Sequence, residues 1–487
     1  MSDNRKKMSL KKEATLLTIS KMANLVITMA TSMLLSRFRT LEEYGTYSQL
    51  DLVLNLLTTL FLLGIPNAIN FFYPRADTND ERKIFLQTFF SINTILSVIA
   101  GLAMIFSLPL LVIYFKNEKL YQFVYFMVLM PWAKITIQER GNLFVAANKT
   151  RTLIKHTLAN SVALLGIIIL TKICNQSFGF YMILYVLVEL GFGLIVYIEA
   201  KKLTGSLAFK IDRLLLKKIL IYSIPIGISD MVSTISKEVD KLMIGGFLNT
   251  ESLAIYTNAA REIALTVIST SFIAVLMPKL SRLINEKKQK EAVVIWKSTT
   301  SFTYIFMCFG VSALIVFAPQ VITILYSEKY LPGTNVFRIY SLILLWRTAY
   351  FGTILSLYGK TKKILYCSIT SMILNVILNY VLYMVLGFTG PAWSTFISVG
   401  IVNLLQLKLS ANILKIKMGQ IFPWRELFKV TIINVILGWG VHLIMQSFQI
   451  GTTKKDCAIS ISIGIIWMAI YFGIIMRKYI KKQWKEY

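Results

Sequence analysis

The stretch SKEVDKLMIGGF at 236–247 places four ionisable side chains within five positions of an otherwise apolar segment. On a helix advancing about 100° per residue, Lys237, Asp240 and Lys241 share one face with Asp230, and Glu238 lies at the margin of that face. A charge that faces lipid near mid-bilayer costs roughly 2.5 to 3.5 kcal/mol even on the lenient insertion scale. The face therefore forms either buried ion pairs with neighbouring helices or the wall of a hydrated cavity.

Polar stripes of the same kind on other segments favour the cavity. Lys21, Asn24, Thr28 and Ser32 recur at helical spacing, as do Asp51, Asn55, Thr58 and Thr59, and Lys134, Gln138, Gly141 and Asn142, while Asn258, Arg261 and Glu262 form a shorter stripe. Basic side chains there can neutralise an anion, and amides and hydroxyls can form hydrogen bonds with a polar ligand. The predicted substrate-binding residues are Lys21, Asn24, Lys134, Gln138, Lys237, Lys241 and Arg261, and the candidate ion-coupling residues are Asp51, Asp230 and Asp240.

The remaining reactive residue types give no sign of catalysis. The four cysteines, at 174, 308, 367 and 457, and the two histidines, at 156 and 442, have neither metal-ligand spacing nor a partner. The GKT at 359–361 lacks the first glycine and the preceding strand of a phosphate loop. Adjacent Glu139 and Arg140 project away from the Lys134 stripe and are expected to form a structural pair. We expect no enzyme, metal or cofactor.

Composition defines the elements that must position these residues. The chain has 487 residues, of which 56% are hydrophobic and 16% charged, and its mean hydropathy is +0.64. The net charge of +28 comes from basic clusters between apolar segments, which is typical of cytoplasmic loops and not of nucleic-acid binding. The sequence predicts an all-α polytopic membrane protein. We predict fourteen spans of about 20 residues or more, near 14–36, 46–73, 84–115, 120–146, 153–173, 178–199, 218–247, 252–277, 293–317, 331–358, 363–386, 389–411, 427–448 and 457–476.

Alternate loops differ sharply in basic residues. Loops on the side of the N-terminus carry 32 Lys and Arg residues and the opposite loops carry eight. The positive-inside rule therefore places both termini in the cytoplasm, with an even number of spans. The long first apolar run lacks a cleavage site, so we expect an anchor helix there and not a removed signal peptide.

The two halves of the chain resemble each other. MLLSRFRTLEEYGTYSQL from Met33 aligns without gaps on LMIGGFLNTESLAIYTNA from Leu242, and NKTR at 148 aligns on GKTK at 359. The predicted divisions are an N-terminal lobe at 1–200, a linker at 201–218, a C-terminal lobe at 219–414, and two further helices with a cytoplasmic tail at 415–487. Because an even number of spans separates the copies, the repeats are parallel, as in transporters that rock around a central site.

Several motifs resemble those of the Wzx-like polysaccharide-transport flippases in the multidrug, oligosaccharidyl-lipid and polysaccharide exporter superfamily. They are LEEYGTYSQL, IYTNAAREIA, VLMPKLSRL and NVILNYVLYMVLGFTGPAWSTFIS. The resemblance implies two pseudo-symmetric six-helix lobes in a V and two C-terminal helices. It also implies cavity cations on the first and eighth helices, where Lys21 and Arg261 stand, with Lys replacing the usual Arg at the former.

The function implied by this resemblance is translocation of undecaprenyl-diphosphate-linked oligosaccharide across a bacterial cytoplasmic membrane for capsule, O-antigen or exopolysaccharide synthesis. H⁺ or Na⁺ as coupling ion, membrane lipids and a polysaccharide polymerase are the other expected partners. Two alternatives stay open. One is a drug or organic-cation antiporter, with Asp51 as its main carboxylate, and the other is a non-transporting scaffold of a glycan-assembly complex.

Overall fold

The computed structural model describes residues 2–261, 265–477 and 479, and every regular element in those residues is a helix. The chain divides into two compact units, 1–254 and 255–487. The predicted all-α polytopic fold is confirmed. The predicted boundaries at 200, 218 and 414 stay a prediction.

The first unit contains eight α-helices and the start of a ninth. Long apolar helices make up most of it, and the polar segments described below lie on α1, α2, α5 and α8. The helices are α1 (Ser2–Phe38), α2 (Leu41–Leu62), α3 (Pro66–Phe72), α4 (Asn79–Phe115), α5 (Val124–Ala146), α6 (Thr150–Ile173), α7 (Phe178–Thr204), α8 (Arg213–Phe247) and α9 (Thr250–Ala259).

Within its described residues, the second unit contains the end of α9 and ten further α-helices. They are α10 (Thr266–Asn285), α11 (Gln289–Val316), α12 (Ala318–Leu325), α13 (Thr334–Trp346), α14 (Thr353–Leu357), α15 (Thr361–Leu386), α16 (Gly390–Leu414), α17 (Met418–Ile421), α18 (Trp424–Ser447) and α19 (Lys454–Ile470).

The last two long helices pack against α11 through hydroxyl contacts inside an apolar cluster. The Tyr304 hydroxyl lies 2.7 Å from the Thr431 hydroxyl, and the Tyr471 hydroxyl donates to the Ile305 carbonyl at 3.2 Å. Asn434 donates to the Tyr471 hydroxyl at 3.0 Å. Buried hydroxyls and amides that find partners in this way stabilise the packing of membrane helices. The C-terminal pair is thus an integral part of the second unit.

By length and apolarity, eleven helical stretches among the described residues are able to cross a membrane, or twelve if α2 and α3 form one bent span. The predicted count of fourteen is not confirmed. One of the eleven stretches, 361–414, contains both α15 and α16, which pack against each other. The predicted span 331–358 consists of α13, with 13 residues, and the short α14. A single bilayer crossing needs about 20 helical residues, so neither helix spans alone.

The second predicted span is broken at Leu63 and Gly64. Both residues have left-handed backbone, with φ of 48° and 72°, and Pro66 follows without an amide hydrogen to continue the helical bonding. Helix axes α2 and α3 therefore meet at an angle of 41°. The eighth predicted span, 252–277, is likewise divided into α9 and α10, and residues 262–264 between them lie outside the described part of the chain.

Helix boundaries recur at the spacing of the sequence repeat. α1 ends at Phe38 and α8 at Phe247, which are 209 positions apart. Thr40 caps α2 by accepting from the Glu43 amide, and Asn249, also 209 positions on, accepts from the Ser252 amide at the start of α9. The local turns of the two copies are therefore equivalent, which supports the repeat. The pseudo-symmetric arrangement of whole lobes stays a prediction.

Candidate functional site

The charged helix α8 is fixed in the first unit by two close contacts at glycines. A methyl group built on Gly227 would lie 2.3 Å from the Leu63 carbonyl carbon, and one built on Gly246 would lie 2.3 Å from the Tyr114 ring. The helix backbone consequently approaches the α2–α3 break at one point and α4 at another. The glycine pair of the IGGF motif thus has a packing role, and the charged stretch lies between the two contacts.

The charges on α8 differ in their surroundings. Lys241 forms an ion pair with Glu238, with 2.8 Å between Nζ and Oε2, and the Asp240 carboxylate accepts from the Lys241 amide. Asp240 is buried, whereas Asp230 and Lys237 are exposed. Glu238, at the margin of the predicted face, is thus a local ion-pair partner of Lys241. The stripe combines a paired, partly buried section with an exposed section.

Asp230 is joined to the broken span. Its carboxylate accepts from the Asn67 side chain at 3.4 Å, and Asn67 also donates to the Gly64 carbonyl at 3.3 Å. The segment after the helix break therefore supplies a polar partner for α8, and the Gly64 carbonyl holds Asn67 in place by also accepting from its backbone amide at 3.0 Å. Sequence spacing did not point to Asn67.

Asp51 and Lys134 form the interhelical ion pair between α2 and α5. Their Oδ1 and Nζ atoms lie 3.6 Å apart, and the side chain of each is 32% exposed. Asn55 donates to the other carboxylate oxygen of Asp51 at 3.0 Å. Helix α2 also packs against α8, so it lies in contact with both of the other helices that carry a predicted stripe.

The predicted residues of α1 have different neighbours. Asn24 accepts a hydrogen bond from the Ser161 hydroxyl of α6, which turns this part of the α1 stripe towards a helix of the same unit. Lys21 is exposed and has no ion pair in the described part of the chain, and Gln138 on α5 is exposed as well. Lys237 is similarly exposed without an ion pair among the described residues. Each of these two lysines lies on a helix that is long and apolar enough to cross a membrane.

Arg261 belongs to the second unit and lies two residues after the end of α9. Its side chain is partly buried and its amide donates to the Asn258 carbonyl at 3.3 Å. Glu262, the last member of the predicted stripe, lies outside the described residues. The assignment of Arg261 to a cavity stays a prediction.

A second polar network joins helices α5, α6 and α7. Arg140 on α5 donates to Asn160 on α6 at 3.3 Å, and Asn160 donates to Glu189 on α7 at 3.2 Å. Glu139 instead accepts from Asn93 on α4. The expected pairing of Glu139 with Arg140 is therefore wrong, because adjacent residues on a helix point about 100° apart and reach different helices.

These partners were not evident from the sequence. Asn93 and Asn160 are single amides in apolar helices, and the contacts they make join positions 46 and 29 residues apart. The one available signal was the presence of intramembrane carboxylates, since each needs a polar partner. That signal identifies Glu139 and Glu189 as residues that require partners and leaves the partners unnamed.

The fold is that of a multi-pass helical membrane protein. Across 96% of this chain and all of the other, the structure resembles the lipid II flippase MurJ in its inward closed conformation, with a TM-score of 0.74 and 17% sequence identity. It also resembles an inward-facing multidrug resistance MATE family transporter of the MOP superfamily, with a TM-score of 0.62, 15% identity and coverage of 83% and 99%.

Residues 34–335 match the family described as "Polysaccharide biosynthesis protein". The chain belongs to that family, and the family resemblance seen in the sequence is confirmed. A curated relative from Haloferax volcanii, described as a probable low-salt glycan biosynthesis flippase, Agl15, is 24% identical over 225 residues. That match covers 43% of this chain and 46% of the relative, so it spans about half the length of each.

Proposed function

We propose that the protein is a flippase that moves undecaprenyl-diphosphate-linked oligosaccharide from the cytoplasmic to the outer leaflet by alternating access. Membership of the polysaccharide biosynthesis family supports a glycan substrate. The observation that carries the proposal is the combination of exposed Lys21 and Lys237, which have no ion pair among the described residues, with the polar side chains of α2, α5 and α8.

The chemistry of a lipid-linked sugar matches that surface. Its diphosphate and hydroxyl groups cannot cross hydrocarbon unaided, whereas its polyprenyl tail is able to remain in the lipid. Charge-assisted hydrogen bonds from lysine ammonium groups neutralise phosphate, and exposed amides such as that of Gln138 suit sugar hydroxyls. Moving about two negative charges outward across 100 mV gains roughly 4.6 kcal/mol when the cell interior is negative.

We place the protein in the cytoplasmic membrane of a bacterium with both termini inside. The support is the excess of Lys and Arg in alternate loops. The proposed pathway is the synthesis of capsule, O-antigen or exopolysaccharide. A polymerase that joins the exported units is the class of enzyme that would consume the product.

The antiporter alternative has weaker support. A site for organic cations requires an available carboxylate, and its main candidate was Asp51. That carboxylate is paired with Lys134 and bound by Asn55. The other exposed carboxylate, Asp230, accepts from Asn67. Asp51 is therefore neutralised by a lysine, and Asp230 already accepts a hydrogen bond from a neighbouring side chain.

The purified protein in proteoliposomes tests the proposal. Vesicles carrying a fluorescent undecaprenyl-diphosphate oligosaccharide are treated with a membrane-impermeant quencher, which reports the fraction of probe in the outer leaflet. We expect the protein to make the inner-leaflet probe accessible faster than protein-free vesicles do. Transport of a lipophilic organic cation in place of the glycolipid would favour the antiporter, and movement of neither probe would favour the scaffold.

A further inference from the structure

A buried carboxyl lies between α4 and α5 outside the predicted site. Glu139 is 0% exposed and Asn93 is 3% exposed. Asn93 Nδ2 donates to Glu139 Oε1. The other two polar atoms of the pair, Glu139 Oε2 and Asn93 Oδ1, are both buried and have no hydrogen-bond partner among the described residues. Two orphaned acceptors in one contact require an explanation, since buried polar atoms are normally paired.

No cation compensates this carboxyl in the described part of the chain. On its own helix, Lys134 pairs with Asp51 of α2 and Arg140 binds Asn160 of α6. On the neighbouring helices, Glu189 of α7 interacts electrostatically with Lys134 and Arg140, and His156 of α6 interacts with Arg140. Neither of them interacts with Glu139. α3 has no titratable residue, and α4 has none between Lys83 and Tyr114.

One proton on Oε2 supplies the missing partner. The protonated Oε2 is a donor and is able to donate to Asn93 Oδ1. The same Asn93 amide already donates to Oε1, so the carboxylic acid and the amide form a doubly hydrogen-bonded pair. An ionised carboxylate buried without a cation is much less favourable than the neutral acid. The pair is thus complete only in the protonated form.

We propose that Glu139 and Asn93 form the proton-binding site that couples an inward flow of protons to transport. This inference rests on the proposed export function and assigns its coupling ion and residue. The proton is taken from water on one side when α4 and α5 separate enough to admit it, and is released to water on the other side. No other bond is made or broken.

Difference infrared spectroscopy of the reconstituted protein measures the proton directly, whatever the protein transports. We expect wild type to show the C=O stretch of a protonated carboxylic acid in this conformation, and Glu139→Gln to lose it. Asn93→Ala is expected to shift the band because one hydrogen-bond partner is removed. Glu286→Gln, which removes a loop carboxylate that is paired with Arg282 and Lys288, is the matched control and should leave the band unchanged.

Transport of the fluorescent glycolipid with and without a proton gradient tests the coupling. We expect the gradient to accelerate wild type and the Glu286→Gln control, and to have no effect on Glu139→Gln. Glutamine keeps an amide hydrogen bond to Asn93 and resembles the neutral acid, so the variant is expected to fold.

Three results separate the possible errors. An unchanged infrared band in Glu139→Gln would overturn the proton assignment. Gradient-accelerated transport by Glu139→Gln, or gradient-independent transport by wild type, would overturn the coupling. Wild type that moves no glycolipid at all would contradict the proposed function instead, while the infrared result still decides whether Glu139 holds a proton.

Discussion

At the scale of single residues, Asp51 and Lys134 join helices α2 and α5 through a contact that is one-third exposed. A double-mutant cycle with Asp51→Asn and Lys134→Met measures the strength of this contact. Residues within one ion-pair network couple by about 0.5 to 3 kcal/mol, and the length of 3.6 Å favours the lower end of that range. The thermal stability of the single and double variants in detergent provides the measurement, and additive effects would show that the pair is not coupled.

Helical spacing accounts for some residue contacts and not for others, for a physical reason. Glu238 and Lys241 are three positions apart, so the period of the helix is enough to pair them. Glu139 and Asn93 lie on different helices, and their contact depends on how α4 and α5 are rotated about their axes. A single sequence contains the polarity of each residue but not that rotation.

At the scale of elements, the approach of α8 to the α2–α3 break controls the polar surface. Gly227→Ala places a methyl group 2.3 Å from the Leu63 carbonyl carbon and 2.6 Å from the Gly64 nitrogen, and neither backbone atom is able to rotate away. We expect overpacking to destabilise the protein by about 1 to 3 kcal/mol. The melting temperature in detergent should fall, and the Asn67–Asp230 contact should weaken.

A glycine elsewhere in the first unit is the matched control. Gly166 lies inside α6, and a methyl group there would meet nothing within 4 Å. Gly166→Ala should leave stability unchanged or raise it by roughly 0.5 to 1 kcal/mol, because alanine loses less backbone entropy. Equal destabilisation by both substitutions would mean that the Gly227 contact is not the cause.

Helix boundaries were predicted best where the local sequence fixes them. Helices α1 and α8 end at Phe38 and Phe247, which the sequence repeat aligns. Two residues after each end, Thr40 or Asn249 caps the next helix. The break inside the second predicted span was missed because the residues on both sides of it are apolar. A left-handed Leu63 and the close packing of Gly64 on another helix depend on tertiary structure.

At the scale of the whole molecule, the positive-inside rule predicts the orientation of the chain. Single cysteines are introduced at Thr452 and Gln289 after the native cysteines at 174, 308, 367 and 457 are replaced by serine. A membrane-impermeant maleimide added to intact cells should label position 452 and should reach 289 only after the cells are opened. The reverse labelling would overturn the assignment of both termini to the cytoplasm.

The most direct test of the account is translocation of the fluorescent undecaprenyl-diphosphate oligosaccharide by a Lys21→Ala/Lys237→Ala variant. Each ammonium that bonds to phosphate contributes about 1.5 to 3 kcal/mol, so the variant should translocate at least about tenfold more slowly than wild type. Lys155→Ala, at an exposed lysine of α6, is the control and should match wild type. Lysine-to-arginine substitutions at 21 and 237 should restore most of the rate. Wild-type translocation by the double alanine variant would contradict the claim that these lysines bind the diphosphate.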